Sequence, residues 1–361
     1  MRELGAYNLN MLTRRKRTIL FWVSVLIFLA AVPVSVLYVL GYRLDENFRL
    51  RKTGGLYISS PVTGSEIFID KKMRKRTSIL QSGVFAQSLA PRAYKVSVTK
   101  EKYRAWEKTL RVFPQAVTEA RALLVPQNPN AEALFRGKFT RMHASPLEPV
   151  LFLIEAREKN NALIFYLPGT NEFLSFEASP ALAAPVFKGN VEVIRWLRGG
   201  VMLVLDGKPR RLSFDFSRRS FRAVPLGGED PQKTPEDIIA ELTRADAREF
   251  IRVAFDPAGR ELRAFWLPDR PLPHYFQASE ELLVHADVRN FEFFPARRDA
   301  VAAAFDNGIW AVELDSRGGR IIQPIYKGKE PAFAVLPGGR ELYALDDGVL
   351  MKIFLFPKEG E

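Results

Sequence analysis

Three histidines, His143, His274 and His285, are the side chains best suited to move a proton near neutral pH, and they lie far apart along the sequence. None stands in a His-x-x-x-His or His-Glu-x-x-His spacing, so no metal-ligand set is expected. Cysteine is absent, which removes disulfides, thiolate metal sites and cysteine nucleophiles. No Gly-x-Ser-x-Gly elbow, Gly-x-x-x-x-Gly-Lys-Ser/Thr loop or Gly-x-Gly-x-x-Gly after a strand occurs. Asp256, Asp306, Asp346 and Asp347 fall in turns between strands, where aspartate caps its own backbone. Trp196, Trp266 and Trp310 sit within strand patterns and read as core. These residues predict no catalytic, cofactor-binding or metal site, and no cofactor.

One cluster suits binding instead of catalysis. Lys71, Lys72, Arg74, Lys75 and Arg76 place five cations within six residues, in what the sequence predicts to be a hairpin loop. Such a loop either keeps a sheet edge from pairing or touches an anionic surface, lipid headgroups or an acidic envelope glycan. No aromatic side chain is interleaved with the cations, so nucleic acid is not an expected partner. The formal charge of +12 is uneven: residues 1–130 hold 22 Lys/Arg against 8 Asp/Glu, and the remainder holds 31 against 33. The basic character belongs to the first third of the chain.

The elements that would carry these residues begin with a membrane span. Thr18 to Tyr42 contains no charge and follows Arg14, Arg15, Lys16 and Arg17. About 20 apolar residues cross the hydrocarbon core as a helix, and this run is too long for the apolar region of a cleavable signal peptide. Cationic flanks tend to stay in the cytoplasm. The arginines and lysine at 14–17 therefore predict a cytoplasmic tail (1–17), a transmembrane helix (18–42) and a body outside the cell.

Beyond the span, Tyr94, Val96 and Val98 alternate with Lys95, Ser97 and Thr99, the period-two signature of a strand with one buried face. Similar runs at 56–59, 67–70, 106–113 and 117–125, punctuated by Pro61, Gly64, Gly83 and Pro91, predict a small antiparallel β-sandwich over 43–126. The residues Gly55-Leu56-Tyr57-Ile58-Ser59-Ser60-Pro61, Gly64, Ile67-Phe68-Ile69-Asp70, Thr77, Leu89-Ala90-Pro91, Tyr94-Lys95-Val96-Ser97-Val98, Tyr103 and Trp106 resemble a PEGA domain. That family is a small β-sandwich of bacterial and archaeal surface proteins. The resemblance covers about residues 54–126 and implies a structural or adhesive module without catalytic residues. The sequence departs from the family pattern where Lys71, Arg92 and Lys102 stand in place of turn glycines.

Pro126, Asn128, Pro129 and Asn130 predict a linker over 127–135. From 136 to 357, short apolar strands recur with a Pro or Gly turn after the first and an Asp-Gly type turn after the second. The clearest copies are 250–267, 291–314 and 331–356, with weaker ones near Met142 and Val191. Starts roughly 40–60 residues apart fit about five four-stranded units. The region looks like a divergent β-propeller, interrupted by an insertion over about 227–249 with a short helix capped by Thr234 and started by Pro235.

The expected fold is all-β with one amino-terminal transmembrane helix. The expected function is that of a non-catalytic binding or scaffold protein of the cell envelope, single-pass in a lipid bilayer, with an anionic lipid, an envelope glycan or another surface protein as partner. A propeller hydrolase acting on glycan or peptide is the alternative, and would need two carboxylates, or a nucleophile and base, converging at the central face. A membrane sensor acting through a partner is a second alternative.

Overall fold

A computed structural model of the chain describes residues 14–356 apart from 45–48, 79, 157–160, 176–190, 198, 206–207, 216–219, 226–250, 268–271, 273–275 and 277–278. The helix α1 runs from Arg14 to Val39. At 1.5 Å per residue it is ~39 Å long, and it is long and apolar enough to cross a membrane. Its hydroxyls are satisfied within the helix, Thr18 Oγ1 donating to Arg14 O and Ser24 Oγ to Leu20 O, as a hydrocarbon environment demands. The basic residues at 14–17 form its first turn instead of preceding it.

Strands β1 (Tyr42–Leu44) and β2 (Leu50–Lys52) make a ribbon at the end of the helix. The sandwich follows, with β3 (Gly54–Ser59), β4 (Glu66–Ile69), β5 (Lys72–Arg76), β6 (Gly83–Leu89), β7 (Ala93–Thr99), β8 (Trp106–Arg111) and β9 (Val117–Arg121). One sheet has the order β6-β3-β9 and the other β5-β4-β7-β8. Leu56, Ile58, Ile67, Ile69, Val96, Val98 and Leu110 fill the space between them. The predicted strands are present, with two additions. β6 was masked in the sequence by its glutamine and serine, and β5 carries most of the cations themselves: Lys72 to Arg76 form an edge strand rather than a loop, and only Lys71 lies in the turn. The sandwich also departs from a purely antiparallel one, because β3 and β9 pair in parallel.

The remaining strands among the described residues form five sheets. The first comprises β11 (Phe139–Ala144), β12 (Leu151–Ala156), β13 (Asn161–Leu167) and β14 (Glu172–Ser175), and the second β15 (Val191–Leu197), β16 (Gly200–Leu205), β17 (Lys208–Asp215) and β18 (Ser220–Pro225). The third holds β19 (Ile251–Asp256), β20 (Glu261–Trp266) and β21 (Ser279–Leu283), and the fourth β22 (Asn290–Phe293), β23 (Ala300–Phe305), β24 (Gly308–Glu313) and β25 (Ile322–Lys327). The fifth takes β26 (Ala332–Val335), β27 (Glu341–Asp346) and β28 (Val349–Phe354), and its outer strand is β10 (Ala131–Arg136) from the start of the domain. Most of the expected linker is therefore this strand, which leaves residues 127–130 as the connection. The expected helical insertion at 227–249 lies outside the described residues.

Small side chains make the sheets stack. Ala300, Ala302, Ala303, Ala304 and Ala311 in the fourth sheet are fully buried and let its neighbours approach. Separate cores join first to second, third to fourth, and fifth back to first, while the sandwich core continues without a break between the fourth and fifth sheets. The first strands converge: β11 lies against β26, and β26 against β22. This is the geometry of a propeller-like array, in which the first strand of each unit lines the axis.

Candidate functional site

Because first strands face the axis, their side chains and the turns that follow them enclose a cavity of about 1120 Å³. Its wall is mostly apolar, with Ile251, Val253, Phe291, Phe293 and Leu336, and its polar groups are few. Glu292 is the one carboxylate among the described lining residues, with Arg252, Arg297 and Arg298 as the cations. Glu292 Oε2 accepts the Val335 N–H at 2.8 Å, and Asn290 Nδ2 donates to Phe333 O at 2.8 Å, so side chains of β22 tie it to β26 where no ladder exists. Burial pushes the Glu292 carboxyl up to about 7, against the lowering effect of the Val335 N–H. At neutral pH the cavity therefore holds a carboxyl that exchanges its proton readily, beside two exposed guanidiniums, Arg252 and Arg298.

A second cavity of about 410 Å³ adjoins the first, sharing Ile251, Phe293 and Arg298 with it. It lies between the sandwich and the array, with Tyr57, Ser59, Glu119 and Arg121 on the sandwich side and Trp266, Asp299, Glu313 and Asp315 on the other. The junction around it is polar and buried. Lys108 Nζ lies 2.9 Å from Glu313 and donates to Asp315 O at 2.6 Å, while Trp106 Nε1 donates to Glu313 Oε1 at 3.2 Å. Burial raises the Glu313 carboxyl to about 7, opposed by the Lys108 ammonium. Arg297 donates to Ala122 O at 2.5 Å and Arg121 O at 3.1 Å, and pairs with Asp299 at 2.7 Å. Burial pushes Asp299 up, but Arg297 outweighs it and holds the carboxyl below its usual range. Gln323 closes the set, accepting from Val125 N and donating to Ala105 O.

The residues singled out in the sequence lie elsewhere. Lys72, Arg74 and Arg76 are exposed on the edge strand, where Lys75 donates to Gln81 and Arg76 to Gly64 O. His143 is half-buried on β11, its pKa lowered by burial, with Nε2 unpartnered. His285 is exposed, and His274 lies outside the described residues. Asp256 caps its turn through the Ala258 N–H. Asp346 does more than cap: it accepts from Tyr326 Oη and Lys329 N in the neighbouring sheet. Trp266 borders the junction cavity and Trp310 a shallow outer one, so neither is a fully buried core residue.

No family model matches the chain. No curated protein matches it either. Among solved structures, TolB from Acinetobacter baumannii aligns with 11% identity and a TM-score of 0.24, covering 74% of this chain and 62% of TolB. The β-propeller domain of Cps50 (Swd1) from Myceliophteria thermophila aligns with 13% identity and a TM-score of 0.28, covering 73% and 94%. Kluyveromyces lactis Hsv2p gives 11%, 0.23, 74% and 72%. Identities and TM-scores this low support no inference about activity or partner.

The signal for the cavity was present in the repeats. The turns Ser145-Pro146, Ala296-Arg297-Arg298 and Pro337-Gly338-Gly339 occupy equivalent places after first strands, and all three line it. The signal for the junction was strand parity: Lys108 is in phase with Trp106 and Leu110, and all three face inward.

Proposed function

We propose that this chain is a membrane-tethered, non-catalytic binding protein of the cell envelope, with the central cavity of the propeller-like array as its ligand seat. The cavity of about 1120 Å³ is the observation that carries this reading. It is concave, largely apolar and furnished with few polar groups, the usual make-up of a binding site. An apolar and aromatic wall with two guanidiniums suits a peptide segment bearing an apolar side chain and a carboxylate better than it suits a glycan, which needs many polar contacts. The sandwich, with its resemblance to the PEGA family, serves as the spacer between bilayer and ligand seat, and the cationic first turn of α1 favours a cytoplasmic amino terminus. The two converging carboxylates that a propeller hydrolase requires are not found among the described residues lining the cavity.

The test is a photo-crosslinking amino acid placed at Phe293, which borders both cavities, and at Ile322 on the outer strand β25. Crosslinking in cells is expected to give a protein adduct at 293 alone, lost when Arg298→Glu is added. Equal adducts at both positions, or none at 293, would overturn the reading; a glycan adduct at 293 would replace the peptide with a sugar.

A further inference from the structure

The end of the sandwich that meets the helix is built differently from the end that meets the array. Gln115 Nε2 donates to Leu40 O at 3.1 Å, Thr53 N to Gly41 O at 2.8 Å, and Arg43 Nε to Ser88 Oγ at 3.2 Å, so the segments around 53, 88 and 115 surround the helix exit. Strand registers carry this placement further. Gly54 pairs with Leu89, Ala93 with Arg111, and Ile69 with Lys72, while Asp70 joins the turn to Arg92 at 2.6 Å. Lys52, Lys71, Lys72, Arg92 and Arg111 thus share one end with the helix exit. Trp106, Lys108 and Arg121, at the opposite end of their strands, dock on the array.

Asp70 is the one carboxylate among the described residues at the helix-facing end. Apolar side chains stand exposed among its cations. Leu44 and Leu50 are directly opposed across the β1–β2 ribbon and 63% and 53% exposed, and Phe113 is 53% exposed. Apolar side chains beside cations, next to the end of a membrane-length helix, match the depth profile of a bilayer surface, where acyl chains give way to headgroups.

We propose that this end of the sandwich is a seat for anionic lipid headgroups, with Leu44, Leu50 and Phe113 entering the interface and Lys52, Lys71, Lys72, Arg92 and Arg111 lying over the headgroups. The seat would fix the tilt of the whole rigid body above the bilayer. It rests on the tethering proposed above. It also divides the cation run: Lys71 and Lys72 belong to the seat, whereas Arg76, paired with Glu66 at the other end of β5, lies ~13 Å further off, beyond the reach of headgroup charge at physiological salt.

The full chain is reconstituted in nanodiscs of zwitterionic lipid and in nanodiscs containing phosphatidylglycerol, and lysine acetylation is followed peptide by peptide. Lys52, Lys71 and Lys72 are expected to react about fivefold more slowly on the anionic discs, and the difference should vanish near 1 M salt. Lys327 and Lys329, on the array, should react alike on both. Equal rates at Lys71 and Lys72 on the two discs, with the chain retained, overturn the seat and leave the tethering intact. Equal protection on zwitterionic discs by a soluble acidic glycan would reassign the surface and overturn the lipid seat. A chain that washes free of both discs overturns the tethering and the seat together.

Discussion

Lys108 of the sandwich places its ammonium 2.9 Å from the carboxylate of Glu313 in the propeller-like array, with side chains 0% and 2% exposed. A charge buried this deeply is tolerable only with its partner in place. The pair therefore makes the two domains conditional on each other: sliding or parting them would leave both charges without compensation. Trp106 and the Asp315 carbonyl complete the set from the two sides, and the sandwich is a fixed extension of the array.

Removing one partner should show this directly. Lys108→Met or Glu313→Leu is expected to lower unfolding free energy by about 3–5 kcal/mol, whereas the double variant should recover to within about 1–2 kcal/mol of the parent, its residual cost being the Trp106 N–H and the Asp315 carbonyl that lose their partners. Chemical denaturation of all four proteins gives the cycle. Additive single and double losses would mean that the pair is not the link.

Glu292 makes stability depend on pH. Its folded carboxyl titrates near 7 against an ordinary value of 4.5. Between those values the folded chain keeps a proton that the unfolded chain has released. The contribution is full below about pH 4.5 and is lost as pH rises through 7. Discounting for partial exposure leaves about 2 kcal/mol across that window. Glu313 acts with the same sign, so Glu292→Gln should flatten the profile without abolishing it. Melting temperatures from pH 4.5 to 8 that run parallel for parent and variant would remove Glu292 from this role.

Gly318 has φ +66°, and a Cβ there would stand 2.4 Å from the Thr109 carbonyl oxygen of the sandwich. Gly338 has nearly the same backbone, φ +67°, with no atom within 4 Å of the same position. Gly338→Ala should cost only the backbone strain, about 1 kcal/mol, while Gly318→Ala should cost about 3 kcal/mol and loosen the junction. Limited proteolysis at residues 122–130 would separate the two, with faster cutting expected in the Gly318 variant alone.

The parts of this fold legible in the sequence are those specified by near neighbours. Thr18 to Tyr42 declares a span by composition, and Asp306-Asn307-Gly308 and Asp346-Asp347-Gly348 declare hairpins because φ > 0 is demanded there. Residues Ala131 to Phe135 read as part of a linker because their pairing strand, β28, lies more than two hundred residues away. Lys71 to Arg76 read as a loop because five cations suggest solvent, although an edge strand, which Lys72 to Arg76 form, meets solvent equally well. Strand parity puts Lys108 on the inward face with Trp106 and Leu110, but its partner Glu313 lies some two hundred residues away, and Glu292 was illegible because it sits in an ordinary alternating strand from which only the packing of a second sheet removes water.

The closing strand has a consequence for biosynthesis. β10 leaves the ribosome more than two hundred residues before its partner β28, so the fifth sheet cannot be completed until the other four sheets have been made. Loop closure over that separation is slow compared with local hairpins. The array would therefore wait, with an unpaired strand edge, until β28 emerges. The helix is made before the array, so that vulnerable interval would be spent tethered to the membrane on which the finished protein is proposed to work, away from other copies with which an open edge would pair.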